Sequence, residues 1–288
     1  MNTPDVTTAV GIIGQRTNAQ AEAVVETLLE VLTPRSDVDV RIDTTTATAL
    51  GVDTGASTDE LAACDLAVSV GGDGTFLYTA RTVGATPILG INLGEVGFLT
   101  AVDPADATEA VTNAIERYQR GELTVHDLPT LKVRGTDTDA LPVAVNEVVV
   151  QARRRGASAN VTFDLEVNGT HYATERADGV LVATPTGSTA YNLSEDGPLV
   201  HPRVGATVVT VMCPQTGTRP LVVDADATVT ITANSTTEAA TPTGHLVVDG
   251  RDRQEISLPT TVTIEQARTP ARIAGPGVDF FEALEKLS

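Results

Sequence analysis

The 288-residue sequence predicts an α/β domain followed by an all-β domain. Three observations carry that reading. Short apolar runs alternate with helical stretches to about residue 125, Val- and Thr-rich strand patterns then succeed one another to about residue 267, and helical character returns in the tail. Alternation of strand and helix implies a parallel sheet covered on both faces, whereas consecutive strands imply antiparallel pairing.

In residues 1–125, "AVGIIG" (9–14), "VDVRID" (38–43), "LAVSV" (66–70) and "TPILGIN" (86–92) are compact branched-residue runs ending at Gly or a polar residue. "NAQAEAVVETLLEVL" and "DPADATEAVTNAIERYQRG" repeat apolar positions at helical spacing, with Asn18 and Asp103 placed to cap them. The plan is Rossmann-like with a parallel sheet, and ligands of such sheets collect beyond the carboxyl ends of the strands. Residues 126–267 hold eight strand patterns: "VAVNEVVVQA", "NVTFDLEVNGTHYATE", "GVLVATP", "ATVVTVMCP", "RPLVVD", "ATVTITAN", "GHLVVDG" and "TTVTIEQA". "VNGT" reads as an Asn-Gly hairpin turn, and the domain is expected to be β-sandwich-like. "TANSTTEAATPTG" (232–244) reads as an exposed loop. In the tail, 268–288, Phe280, Phe281, Leu284 and Leu287 fall on one side of a C-terminal helix expected to return to the first domain. The boundary between the domains falls near 121–130.

Composition narrows the partners. Asp and Glu number 38 against 19 Lys and Arg, a formal charge of -19, and only Lys132 and Lys286 are lysines. Nucleic-acid binding needs a basic footprint, so nucleic acid and an acidic membrane surface are poor partners. No apolar run approaches the roughly 18 residues that span a bilayer, and the acidic opening "MNTPDVTTAVGIIG" does not read as a signal peptide. A soluble, cytoplasmic protein is expected. Cys64 and Cys213 lie outside any CxxC pattern and are expected to be buried, reduced thiols. The four histidines have no metal-ligand spacing. Scarce lysine with abundant Asp, Thr and Ala suggests an acid coat adapted to high internal salt, a halophilic trait.

"LAVSVGGDGTFL" (66–77) runs a strand into glycines around one acid, Asp73, with a helix following. Glycines there can take positive φ and let N–H groups approach a phosphate. No Lys follows in the GK[ST] manner, so this is not a Walker loop. Asp73 alternatively caps the helix. "GINLGEVGFLT" (90–100), "VNEVVV" (145–150) and "DGVLVATPTGSTAYNLSEDGPLVHP" (178–202) follow in order. Together these motifs resemble the NAD kinase family over about residues 66–224. GGDGT alone is shared with diacylglycerol and sphingosine kinases and, more remotely, phosphofructokinases; the "TPTGSTAYNLS" segment sets NAD kinases apart.

The resemblance implies phosphorylation of the adenosine ribose 2'-hydroxyl of NAD with ATP or polyphosphate as donor. Asp73 then serves as general base, while Gly72, Gly74 and Thr75 hold phosphates and a divalent metal, normally Mg²⁺, offsets repulsion. The same resemblance gives Asn146 and Glu147 hydrogen bonds to the dinucleotide, Asp178 the nicotinamide end, and Arg176 a preference for NAD over NADH. It sets Thr189, Ala190, Tyr191, Asn192 and Ser194 around adenine and ribose. The hydroxyls of Thr186, Ser188 and Thr189 are expected to cap a short helix whose N–H groups meet an anion. Phe98 either lines the nucleotide pocket or packs between strand and helix.

The sequence departs from the family pattern at two places. "CPQTGTRP" sets Gln215, Thr216 and Gly217 where relatives often carry a His-containing run, and "DGR" (249–251) replaces an expected DGQ. Arg251 meets either a phosphate or a surface acid, and the "RRRG" cluster (153–156) is either a receiver of donor phosphates or a solvated loop. The active site is expected in the cleft of the two domains, in a homodimer or homotetramer. Two rivals stay open: a lipid or other small-alcohol kinase sharing GGDGT, and a non-catalytic dinucleotide sensor.

Overall fold

The computed structural model describes residues 7–94, 97–135, 138, 141–153, 161–235 and 242–285. The chain divides into two compact units, Met1–Leu128 with Pro270–Ser288, and Pro129–Thr269.

The first unit runs β1 (Thr8–Gly14), α1 (Ala19–Leu32), β2 (Val38–Ile42), α2 (Thr44–Ala49), α3 (Thr58–Ala62), β3 (Leu66–Val70), α4 (Asp73–Val83), β4 (Ile88–Ile91), α5 (Ala107–Gln119) and β5 (Val125–Leu128). Every residue of β3 and β4 is buried, as expected of central parallel strands covered on both faces. Asn18 caps α1, its side chain accepting from Gln20 N at 2.9 Å, and the helix buries Ala21, Val25, Leu28 and Leu32 along one stripe. Asp103 caps the 3₁₀ turn Pro104–Asp106 that leads into α5, accepting from Ala105 N at 2.9 Å.

The second unit contains β6 (Leu131–Gly135), β7 (Glu147–Ala152), β8 (Val161–Val167), β9 (Thr170–Arg176), β10 (Gly179–Ala183), the short α6 (Tyr191–Ser194), β11 (Ala206–Met212), β12 (Leu221–Asp224), β13 (Val229–Ser235), β14 (Thr243–Val248), β15 (Asp252–Ser257) and β16 (Thr260–Gln266). They form two antiparallel sheets, ordered β12-β11-β10-β7-β14-β15 and β6-β16-β13-β8-β9. Val150, Val180, Val182, Phe163, Leu165 and Ile231 join the core formed with the second sheet. On the opposite face of β7, β10 and β11, Val149, Leu181, Ala183 and Val208 pack with Val200, and Tyr191 packs against that cluster. Burial on both faces explains why these strands read as unbroken Val runs, and it lays the segment after β10 over the sheet. The Asn168-Gly169 turn between β8 and β9 takes φ of 51° and 73°, the double positive φ of the tight hairpin that the sequence predicts.

The chain then returns to the first unit as β17 (Ala271–Ala274) and α7 (Phe280–Glu285). β17 lies between β4 and β5, parallel to the former and antiparallel to the latter, completing a sheet ordered β2-β1-β3-β4-β17-β5. The tail therefore supplies a strand as well as the expected helix. Other expectations are also corrected. Residues 232–235 and 243–244 belong to β13 and β14, and 236–241 lie outside the described residues. Phe280 is buried but Phe281 is 66% exposed, and Leu287 lies outside the described residues. Cys64 is buried, whereas Cys213 is exposed. No helix among the described residues is long and apolar enough to cross a membrane.

Candidate functional site

In the first unit, Asp73 is the first residue of α4, at the carboxyl end of the central strand β3. It is not the helix cap. Gly72 occupies that position, and among the described residues no side chain caps the helix. The Asp73 carboxylate instead reaches the 97–100 segment: Oδ2 accepts from Phe98 N at 2.9 Å and Oδ1 from Leu99 N at 3.0 Å, with the Thr100 hydroxyl at 3.4 Å. Burial raises its proton affinity above the usual carboxylate range, partly opposed by the two amides and the Thr100 hydroxyl. A carboxylate has about four lone-pair directions, so one remains for a ligand.

The glycines serve close approach. None of Gly71, Gly72 and Gly74 has positive φ among the described residues. A Cβ on Gly71 would lie 2.3 Å from Thr75 Oγ1, and one on Gly97 would lie 2.1 Å from Asp73 Oδ1. Thr75 N donates to Gly72 O at 2.9 Å, so its amide is spent within the turn. Phe98 is half-buried, its ring centroid 6.0 Å from that of Phe280.

In the second unit, Glu147 opens β7 directly after Asn146, and the 184–194 segment folds over them. Thr184 N donates to Asn146 O at 2.9 Å, and the Thr184 hydroxyl donates to Val145 O at 2.7 Å while accepting from Gly187 N at 3.0 Å. A Cβ on Gly187 would lie 2.1 Å from Asn146 O, so only glycine fits. The anchoring hydroxyl is thus Thr184. Those expected to cap are used otherwise: Ser188 bridges the N–H and carbonyl of Val200, Thr189 donates to Thr186 O, and Thr186 Oγ1 is buried without a partner among the described residues. Ala190 and Tyr191 are partly buried and Ser194 is exposed. Asn192 is fully buried, donating to Ser188 O and Pro198 O and accepting from Thr210, so its amide holds the turn together.

Glu147 is 3% exposed, and its Oε2 has no partner among the described residues. Burial first, then the neighbouring Asp249 charge, raise its pKa to about 8 against the opposing Tyr191 N–H. Asp249 itself is a residue that the sequence reading left without a role. It sits in the β14–β15 turn with Gly250, at φ of 45° and 66°. Its carboxylate accepts from the N–H groups of Val145, Asn146 and Glu147 at 3.1, 2.8 and 3.1 Å. Asp-Gly in sequence announces only a turn; the long-range partners appear once β14 pairs with β7.

Arg176 and Asp178 lie at the other end of β10, where the chain passes between the two sheets. Glu147 pairs with Ala183, five residues from Asp178 and so roughly 17 Å along the strand. Next to them Glu175, 1% exposed, accepts from Thr216 N at 3.1 Å and from the hydroxyls of Thr216 and Thr218, the latter at 2.7 Å. Burial opposes ionisation of Glu175, yet these donors together hold its pKa below the usual range. Gln215 N donates to Arg176 O at 3.0 Å. The "QTGT" departure thus has a structural task. Arg251 closes its turn through N–H to Val248 O at 3.1 Å and its side chain is exposed. Arg153 reaches Thr243 Oγ1 at 3.5 Å, and the rest of the RRRG cluster lies outside the described residues. Among the described residues no group of three or more His, Cys, Asp or Glu is arranged to hold a metal ion.

Family models match both units of the chain. Residues 10–118 match the ATP-NAD kinase N-terminal domain model and residues 145–275 the ATP-NAD kinase C-terminal domain model. A relative from Halorubrum lacusprofundi, an NAD kinase, is 50% identical over 280 residues, covering 97% of this chain and 99% of the relative. Among solved structures, an Archaeoglobus fulgidus NAD kinase in complex with ATP superposes with a TM-score of 0.76 at 25% identity, covering 98% of this chain and 100% of that one. A yeast NADH kinase complexed with NADH gives a TM-score of 0.81 at 23% identity, covering 98% and 87%, a likeness of fold.

Proposed function

The chain belongs to the NAD kinase family, and from that premise we propose that it transfers a phosphoryl group from ATP or polyphosphate to the 2'-hydroxyl of the adenosine ribose of NAD, giving NADP. The observation that carries this reading is Asp73, a half-buried carboxylate of raised proton affinity at the carboxyl end of a central parallel strand. Asp73 accepts the ribose hydroxyl proton as O2' bonds to the terminal phosphorus and the bridging P–O bond to the donor breaks. The amides of Gly72 and Gly74 receive phosphate oxygens; the Thr75 amide, held by Gly72 O, does not. Divalent metal enters with the nucleotide as part of the substrate, in the manner of Mg²⁺ held chiefly by phosphates.

In the second unit, Asn146, Glu147 and the Thr186–Ser194 turn bind the adenosine portion, and Asp178 the nicotinamide end. The separation of these groups along β10 suits an extended dinucleotide. Arg176 favours NAD over NADH. The protein works in the cytoplasm as a homodimer or homotetramer at high salt, in keeping with its charge of -19.

Purified protein incubated in concentrated KCl with NAD, MgCl₂ and either ATP or polyphosphate should form NADP. Asp73→Asn should still bind NAD by calorimetry while losing about 100-fold or more in turnover, the scale of a lost general base. Absence of NADP with either donor, or a fully active Asp73→Asn, overturns the reading.

A further inference from the structure

Asp249 holds three successive N–H groups, those of Val145, Asn146 and Glu147, and its own N–H donates to Glu147 O at 3.0 Å. Three donors on one carboxylate fix the peptide planes from which Asn146 and Glu147 project. The cluster also sets two acids side by side. Glu147 is shielded from solvent, faces the Tyr191 N–H of α6, and has one oxygen with no donor among the described residues. Among the described residues Asp249 is the charged group that acts on it. The Asp249 carboxylate has three amide donors, whereas an ionised Glu147 would meet a like charge and an unsatisfied oxygen in a dry site. A ligand laid against Glu147 removes what solvent remains and further disfavours its charge.

We propose that Asp249 is a positioning residue of the dinucleotide site, which fixes the Val145–Glu147 peptides and, as a resident anion, makes binding of NAD depend on Glu147 being a neutral acid. The inference rests on the reading that Glu147 serves the dinucleotide. A neutral carboxyl there can donate to an acceptor atom of a nucleoside, which a carboxylate cannot. The pKa of about 8 agrees with that state at neutral pH.

The test is the pH dependence of NAD affinity, by calorimetry, and of KM, at constant KCl from pH 6 to 9.5. Wild-type affinity should hold steady to about pH 7.5 and then fall, approaching tenfold per pH unit once Glu147 ionises. Glu147→Gln should abolish that alkaline fall. Asp249→Asn should move its onset to lower pH, because the anion is gone; a purely structural role would weaken binding at every pH without moving it. Asp249→Ser replaces this variant if it fails to fold. Infrared difference spectra of wild type against Glu147→Gln read the same group without substrate, and should show a protonated carboxyl at pH 7 that disappears near pH 9. The proposal is overturned by an alkaline fall that survives in Glu147→Gln, by an onset unmoved without the Asp249 charge, or by a Glu147 already ionised at pH 7. Failure of wild type to make NADP would instead strike the kinase reading, leaving the infrared titration to decide the state of Glu147.

Discussion

Burial and the Asp249 charge lift the Glu147 carboxyl from its ordinary 4.5 to about 8. Between these values the folded chain binds a proton that the unfolded chain has released, so this group makes stability fall as pH rises from about 5 to 8. The slope is at most about 1.4 kcal/mol per pH unit. Glu147→Gln should flatten that part of the profile, measured by denaturant unfolding at several pH values. The comparison with wild type is needed because His245, whose pKa burial lowers, acts in the opposite sense near its own titration. At this scale the motifs single out Asp73 and Glu147, two carboxylates whose surroundings raise their proton affinity. The sequence was silent on Asp249, whose partners lie about a hundred residues away, and on the 97–100 amides that hold Asp73.

Among the connecting elements, the loop between β11 and β12 shows how a departure from a family pattern is absorbed. Thr216 and Thr218 turn their hydroxyls onto Glu175, a buried acid for which these donors stabilise the charge. Thr216→Val keeps the shape and deletes one donor, and should lower stability by about 1.5–3 kcal/mol, the scale of a hydrogen bond to a charged group. The denaturant midpoint should fall with an unchanged slope, and combining the change with Glu175→Gln should cost less than the two separate losses added together. Strands with long Val, Ile or Thr runs and the helices with caps were readable from pattern alone. β6 and β15 were not: "LKVRG" alternates over only two apolar positions, and "DRQEIS" has a single apolar residue, Ile256. β17 spans only Ala271–Ala274, too short to announce a period, and its place depends on neighbours distant in sequence.

For the molecule as a whole, 38 acids against 19 Lys and Arg leave at least half the carboxylates without a basic partner one to one. Their mutual repulsion opposes compactness and is screened as salt rises, with a Debye length of about 3 Å at 1 M. The thermal midpoint should therefore climb with KCl and drop on dilution; a midpoint indifferent to salt would remove the high-salt reading. Fold class was legible at this scale because the change from alternating to consecutive strands is written in hydrophobic pattern. The return of the chain to its first unit was legible only as a docking helix.

That return sets an order of assembly. β5 finds its antiparallel neighbour only when Ala271–Ala274 arrive, whereas the strands of the second unit all come from one continuous stretch, Pro129–Thr269. During synthesis the later-made β-rich unit can finish while the earlier-made sheet still waits for its missing strand. A ribosome stalled before residue 271 would hold a nascent chain whose amino-terminal half is the unfinished one.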